Sequence, residues 1–379
     1  MTIGPYTVKL ARRERLSGWQ AGLISLAAIV VALLLFSLIF LLAHVPPLDA
    51  YRQIFSYAFA NEYGVLLTFN RAIFLLFATF AFIMPYKAGL WNIGMAGQLY
   101  MGALAAFAVV FAFGGKESIN APLNPALVIP LMVLAALIGG ALWAFIAGFL
   151  KGRLDVNEIV VTMLLNFIAF WFVAHMIKEG GPFMNPQGRG ESFALPKTLH
   201  APMIFGVPYT GYLALLLAFF LEFLFRKTQI GYQIRAFGKN PAAARYAGIH
   251  PYKIAVLVFL LGGAFGGLAG YHYFGAVPGV YKIARTYGYF GDLSNYGIIC
   301  GLISLGSPVA AIPVALLFGG LSIGGRFVQG KLHMGFGLDY ALLGVLMITL
   351  VGFQFFYRYT ITWQKREETL HVAVYRAEP

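Results

Sequence analysis

The sequence predicts an all-α fold, a polytopic transmembrane helical bundle, and three observations carry that expectation. Of 379 residues, 60% are hydrophobic and only 11% charged, with a mean hydropathy of +0.77. Soluble domains carry roughly a quarter charged residues, so a water-facing surface could not be covered from this composition. Apolar runs of about 20 residues, the length that crosses a bilayer, recur along the whole chain. The connecting segments carry Lys and Arg mainly at alternate loops.

Taken in order, spans are expected near 22–43, 68–86, 92–113, 126–149, 157–177, 207–225, 253–275, 291–305, 308–325 and 340–357. That makes about ten, with eight or nine open because two of the runs are short. The first run, from Ala21 to Ala43, is too long for a cleavable signal and reads as a first span. Lys9, Arg12, Arg13 and Arg15 precede it, and Lys87, Lys151, Arg153, Arg226, Lys227, Arg358, Lys365, Arg366 and Arg376 fall at the same side. By the positive-inside rule both termini are cytoplasmic. The expected organisation is a cytoplasmic segment 1–21, a transmembrane domain 22–357 with a cytoplasmic loop 226–253, and a cytoplasmic tail 358–379. Gly89–Gly94 and Gly291–Gly297 open spans of opposite orientation, which is either an inverted repeat or chance.

The net charge of +13 reflects loop placement and is not read as nucleic-acid binding. The single cysteine, Cys300, excludes an internal disulfide and reads as a small buried hydrophobe. No phosphate loop occurs; Gly114-Gly115-Lys116-Glu117 lacks the frame and the hydroxyl residue. The seven histidines have no metal spacing, and His272 reads as a packing histidine. The acids fall at span ends, so energy for transport is expected to enter from outside the chain.

Three segments stand out. In the cytoplasmic loop, Asn240 suits an N-cap, Pro241 a first helical position and Gly248 a stop, with Ala242 to Ala247 between them. This is a short helix that either docks into a partner or merely connects. The patch Asn92-Ile93-Gly94-Met95-Ala96-Gly97-Gln98 sets two amides and two glycines at membrane depth, as a cavity wall, a hinge or a plain turn. Asn157, Thr162 and Asn166 recur about every four residues, on one helix face, lining a pore or bonding to other helices.

At these residues the chain resembles a family. Trp91 to Gln98, Val156 to Asn166, and the loop with Thr228, Gly231, Arg235, Gly238, Asn240, Pro241, Arg245 and Gly248 look like the ABC-importer permeases of the nucleoside and simple-sugar branch, relatives of the ribose and branched-chain amino-acid permeases. The likeness runs from Ala72 to Gly325 and departs at Ala96 and across Tyr287–Tyr296. It implies a permease subunit in a bacterial plasma (inner) membrane, itself no enzyme and without a cofactor. It further implies a separate ABC ATPase subunit that uses ATP, a second permease subunit in a heterodimer, and a periplasmic or lipid-anchored binding protein. The solute would be a small, neutral, polar one. By carry-over, Gly231, Arg235, Gly238, Asn240, Pro241, Arg245, Tyr246 and Gly248 couple to the ATPase, and Asn92, Gln98, Asn157, Thr162 and Asn166 flank the path. An ion-coupled secondary transporter is the alternative.

Overall fold

The computed structural model describes residues 2–3, 6–12, 18–178, 180–185, 187, 190–333, 337–353 and 355–365. Arg13 and Arg15, and the tail with Arg366 and Arg376, lie outside the described residues. Contacts divide the chain into two units, one made of residues 1–44 with 344–379 and the other of 45–343.

The first unit carries a three-stranded antiparallel sheet of β1 (Thr2–Ile3), β2 (Tyr6–Arg12) and the strand formed by Tyr359–Lys365. Arg12 pairs with Tyr359 and Tyr6 with Lys365. This short sheet is a small addition to a chain that is otherwise helical, as expected. Alternation of Val, Leu, Ile, Tyr and Trp with Thr and Lys is a strand pattern, overshadowed in the sequence by the adjoining apolar runs. The helix that follows is α1 (Gly18–Leu42).

The second unit begins with α2 (Pro47–Ala60), which the sequence reading omitted. Its buried residues Ala50, Ile54 and Ala58 recur every four positions, while Arg52 is exposed, so it is amphipathic and too short to span. Then come α3 (Glu62–Lys87), α4 (Met95–Ala112), α5 (Pro125–Leu154), α6 (Glu158–Ile177) and α7 (Tyr209–Lys227). Between the last two, β3 (Met203–Ile204) and β4 (Val207–Pro208) form a small hairpin. The chain continues through α8 (Gln229–Lys239), α9 (Pro241–Tyr246) and α10 (Pro251–Tyr271), which ends in a π-helical turn at His272–Ala276. It closes with α11 (Tyr287–Ser294), α12 (Tyr296–Ile303), α13 (Ala311–Lys331) and α14 (Leu338–Phe353).

Among the described residues nine helices are long and apolar enough to cross a membrane. The expected eighth span is not one of them; it is the pair α11–α12, broken at Asn295, and together they give about 25 Å of helix at 1.5 Å per residue. The ends of the pair reach opposite ends of the neighbouring helices. Before it, Tyr281 and Ile283 accept from the backbone of Leu195 (2.8 Å) and Ser192 (3.0 Å) in the loop preceding α7. After it, the Leu305 carbonyl accepts from Lys87 Nζ at the far end of α3 (3.5 Å), and Ser307 donates to Glu222 near the end of α7 (2.8 Å).

α3 is the centre of this unit, with 83% of its apolar window buried, against 22% for α5. α4, α5 and α10 meet backbone to backbone. A Cβ placed on Gly267 would run into the Ala136 carbonyl, and one on Gly102 into Gly267 itself. Small residues at such crossings let membrane helices approach closely, which replaces the hydrophobic drive that lipid removes. His272 packs as expected, between Thr210 Oγ1 at 2.7 Å and the Asn70 carbonyl at 3.0 Å, and Cys300 is buried.

Candidate functional site

In the turn 88–94 between α3 and α4 the N–H groups of Ala88, Gly89 and Leu90 bond back to the end of α3, and those beyond Leu90 need side-chain partners. Asn92 is central among them. Its Nδ2 donates to the Ala81 carbonyl (3.0 Å) and to Gln98 Oε1 (3.1 Å), while its Oδ1 accepts from Gln98 Nε2 (3.0 Å) and from the Gly94 N–H (3.0 Å). Asn92 and Gln98 are buried. From α6, Asn166 accepts from the Gly97 N–H (2.8 Å) and donates to the Ile93 carbonyl (2.8 Å). Thr162 accepts from the Ile93 N–H (3.3 Å). These four residues are thus brought together in one network that locks the turn to α4 and α6. Asn157 lies apart from it, exposed, capping α6 by accepting from Ile159 N (2.9 Å).

The cytoplasmic loop expected from the sequence is two helices. Thr228 caps α8, accepting from Gly231 N at 3.1 Å, and Asn240 caps α9, accepting from Ala243 N at 3.0 Å. Gly248 follows the end of α9 with φ 81°, a backbone state that Gly takes freely. Ala244 is buried, whereas Arg245 and Tyr246 are exposed, Tyr246 by 95%. Arg235 Nε reaches the Gly231 carbonyl (3.4 Å), and Gly231 itself sits where a Cβ would strike the Leu224 carbonyl.

Contact between the two motifs is direct. Gly238 near the end of α8 lies against the turn, where a Cβ would run into the Lys87 carbonyl, and one on Gly89 would come within 3.2 Å of the Gly238 carbonyl. Beside this contact opens a cleft of about 480 Å³ lined by Gly89, Lys151, Asp155, Glu158, Gly238 and Arg245. Lys151 pairs with Asp155 (2.9 Å) and Glu158 (3.2 Å). Its ammonium holds the Asp155 carboxyl below the ordinary value. The Trp91 N–H donates to the other oxygen of Glu158 at 3.4 Å. Among the described residues no group of His, Cys, Asp or Glu is arranged to hold a metal.

The sequence reading missed two basic residues on spanning helices. Arg71 on α3 is buried, and Arg326 on α13 is exposed. The available signal was plain, an arginine inside the apolar run from Val65 to Ala88.

A membrane bundle with a capped helix pair standing at one end, packed against a hydrogen-bonded turn inside, is the architecture of a transport permease. The chain belongs to the family described as the branched-chain amino acid transport system permease component, whose model matches residues 64–351. It is 30% identical to the glucose ABC transporter permease protein TsgB13 of Haloferax volcanii, across 93% of each chain. It is also 30% identical to the guanosine ABC transporter permease protein NupP of Bacillus subtilis, over 80% of this chain and 85% of that one. The nucleoside ABC transporter permease protein NupB of Lactococcus lactis is 28% identical over 80% and 83%. No solved structure matches. The protein is therefore the multi-pass membrane permease subunit of an ABC transporter; it is not an enzyme, and a separate ATPase hydrolyses the ATP.

Proposed function

We propose that this permease imports a nucleoside or a simple sugar, handed over by an extracytoplasmic binding protein, across a bacterial plasma membrane. In this reading it pairs with a second, non-identical permease, keeps both ends in the cytoplasm, and docks α9 into the ATPase. The names of the relatives, glucose, guanosine and nucleoside permeases, support the solute class. The observation that carries the coupling role is the contact of Gly238 with the Lys87–Gly89 turn, since it joins an exposed helix to a buried network.

When ATP closes the ATPase dimer, α9 is pushed at Pro241, Arg245 and Tyr246. Gly231 seats α8 against α7 and Arg235 bonds back to its carbonyl within α8, so the push passes along α8 to Gly238 and into the turn. Asn92, Gln98, Thr162 and Asn166 fix that turn to α4 and α6, and those helices tilt as the wall of the path, with Asn157 setting where α6 begins. Interfaces of this packed kind switch between discrete arrangements rather than bending smoothly.

The test replaces Arg245 and Tyr246 with Ala in the assembled transporter. Uptake and solute-stimulated ATP hydrolysis should fall together, with the permease still present in the membrane. If both rates stayed at the wild-type level, α9 would not be the lever. Uptake driven by an ion gradient in vesicles without ATP would point to secondary transport instead.

A further inference from the structure

An arginine inside hydrocarbon costs several kcal/mol unless it finds a partner, so its surroundings identify what it is for. Arg71 lies about 14 Å along α3 from Glu62, near the middle of the span, at 1.5 Å per residue. It is 5% exposed, and its Nη1 is buried with no hydrogen-bond acceptor. Among the described residues no carboxylate pairs with it. What it meets are aromatic faces: the guanidinium carbon stands 5.5 Å from the Tyr289 ring centre and 5.7 Å from that of Phe290. Tyr273, placed by the π-helical turn, packs on Phe290 at 3.7 Å, and Arg326 lies over the Tyr289 ring at 4.0 Å. The two rings on α11 belong to the broken crossing, whose joint is at Asn295. Discontinuous helices near the middle of a membrane are where transporters place solute contacts.

We propose that Arg71, with Tyr273, Tyr289 and Phe290, is a solute station on the path, and that it takes the base of a 6-oxopurine nucleoside. This rests on the reading of the chain as a nucleoside or sugar importer. A guanidinium offers donors only, in a planar fork, so its ligand brings two acceptors on one edge. The O6 and N7 atoms of guanine or hypoxanthine are such an edge; adenine puts an amino donor where O6 would be. The neighbouring rings suit a flat conjugated face. A hexose also offers neighbouring hydroxyl acceptors, but it has no flat conjugated face for the rings. An anion would form a charge-assisted pair and be held, whereas a neutral acceptor edge binds and leaves. Tyr289 and Phe290 cover the guanidinium here, so α11 swings at Asn295 to admit the base.

The experiment measures initial uptake of labelled inosine, adenosine and glucose by cells whose own copy of this chain is replaced by variants, with the amount of permease in the membrane measured in parallel. The wild type should prefer inosine to adenosine. Arg71→Met should raise the KM for inosine about tenfold and narrow that preference, because losing one bidentate base contact costs on that order; Arg71→Lys should restore part of it. An unchanged inosine KM, or an equal fall for inosine and adenosine at constant KM, would overturn the station. If both Arg71 variants are lost from the membrane, Phe290→Ala decides: a raised inosine KM supports the proposal and an unchanged one overturns it. Uptake of glucose with neither nucleoside overturns the base assignment while leaving the importer standing. Wild-type uptake of none of the three sinks the importer reading itself.

Discussion

Asn92 and Arg71 are both buried, Arg71 on α3 and Asn92 just beyond its end, and their surroundings differ in one respect. Each amide hydrogen-bonding atom of Asn92 and Gln98 has a partner, in a closed set that includes the Ala81 carbonyl and the Gly94 N–H. Arg71 carries a charge, sits among rings, and leaves Nη1 without an acceptor. A satisfied polar network in a low-dielectric interior adds rigidity, while an unsatisfied donor there is costly and persists where something else completes it. On the roles proposed above, the difference separates a part that would transmit force from a part that would wait for a ligand.

The largest effect expected on that contrast is at the satisfied cluster. Asn92→Leu strands Gln98, the Ala81 carbonyl and the Gly94 N–H together, at a cost of about 3 kcal/mol. Heat unfolding of the detergent-solubilised permease should show it, and a midpoint equal to the wild type would dissolve the distinction. Next is Gly238→Val, which drives a side chain into the Lys87 carbonyl. Overpacking of this kind costs about 2 kcal/mol. Solute-stimulated ATP hydrolysis should then drop more than solute-free hydrolysis; equal drops would deny transmission through this contact.

Arg71→Met should go the other way in stability, neutral or higher by about 1 kcal/mol, since an unpaired buried charge is replaced by a hydrophobe of similar length. A loss as large as that of Asn92→Leu would place Arg71 among the structural residues. The smallest effect lies outside both clusters, at His200, which stacks on Tyr281 at 3.6 Å. Burial pushes its imidazole below the ordinary value of 6.5, helped by Lys197, against a backbone hydrogen bond at Leu195. The docked loop therefore favours the neutral ring. Its docking is undisturbed above about pH 6.5 and weakens as the pH falls below that, where the undocked imidazole takes up a proton first. Proteolytic nicking of 178–206 should be faster at pH 5.5 than at 7.5, and His200→Phe should flatten the difference.

Hydropathy made the nine long helices legible, because twenty apolar residues in a row have few other uses. The capped α9 was legible too, since Asn240, Pro241 and Gly248 each act locally. What escaped depended on long-range partners. α2 is amphipathic over only 14 residues and owes its place to burial of Ala50, Ile54 and Ala58. The break at Asn295 falls inside a run of glycines and aromatics with no proline to announce it. The terminal strands pair across most of the chain length. Of the candidate site, the polar residues were found by type, but that Asn92, Gln98, Thr162 and Asn166 bond to one another, with Asn157 apart, required the fold. Arg71 was visible in the sequence as an oddity; the rings of Tyr289 and Phe290 that give it meaning lie more than two hundred positions away.

The bare crossing of α4, α5 and α10 has a mechanical consequence. Where Gly102, Gly140 and Gly267 touch, no side chains stand between the backbones to act as bearings, so the three helices cannot slide over one another without colliding. They move as a single slab. On the coupling proposed above, with the 88–94 turn bonded to α4 and α6, a stroke delivered there would move this slab whole, and the give would fall at breaks between helices such as Asn295.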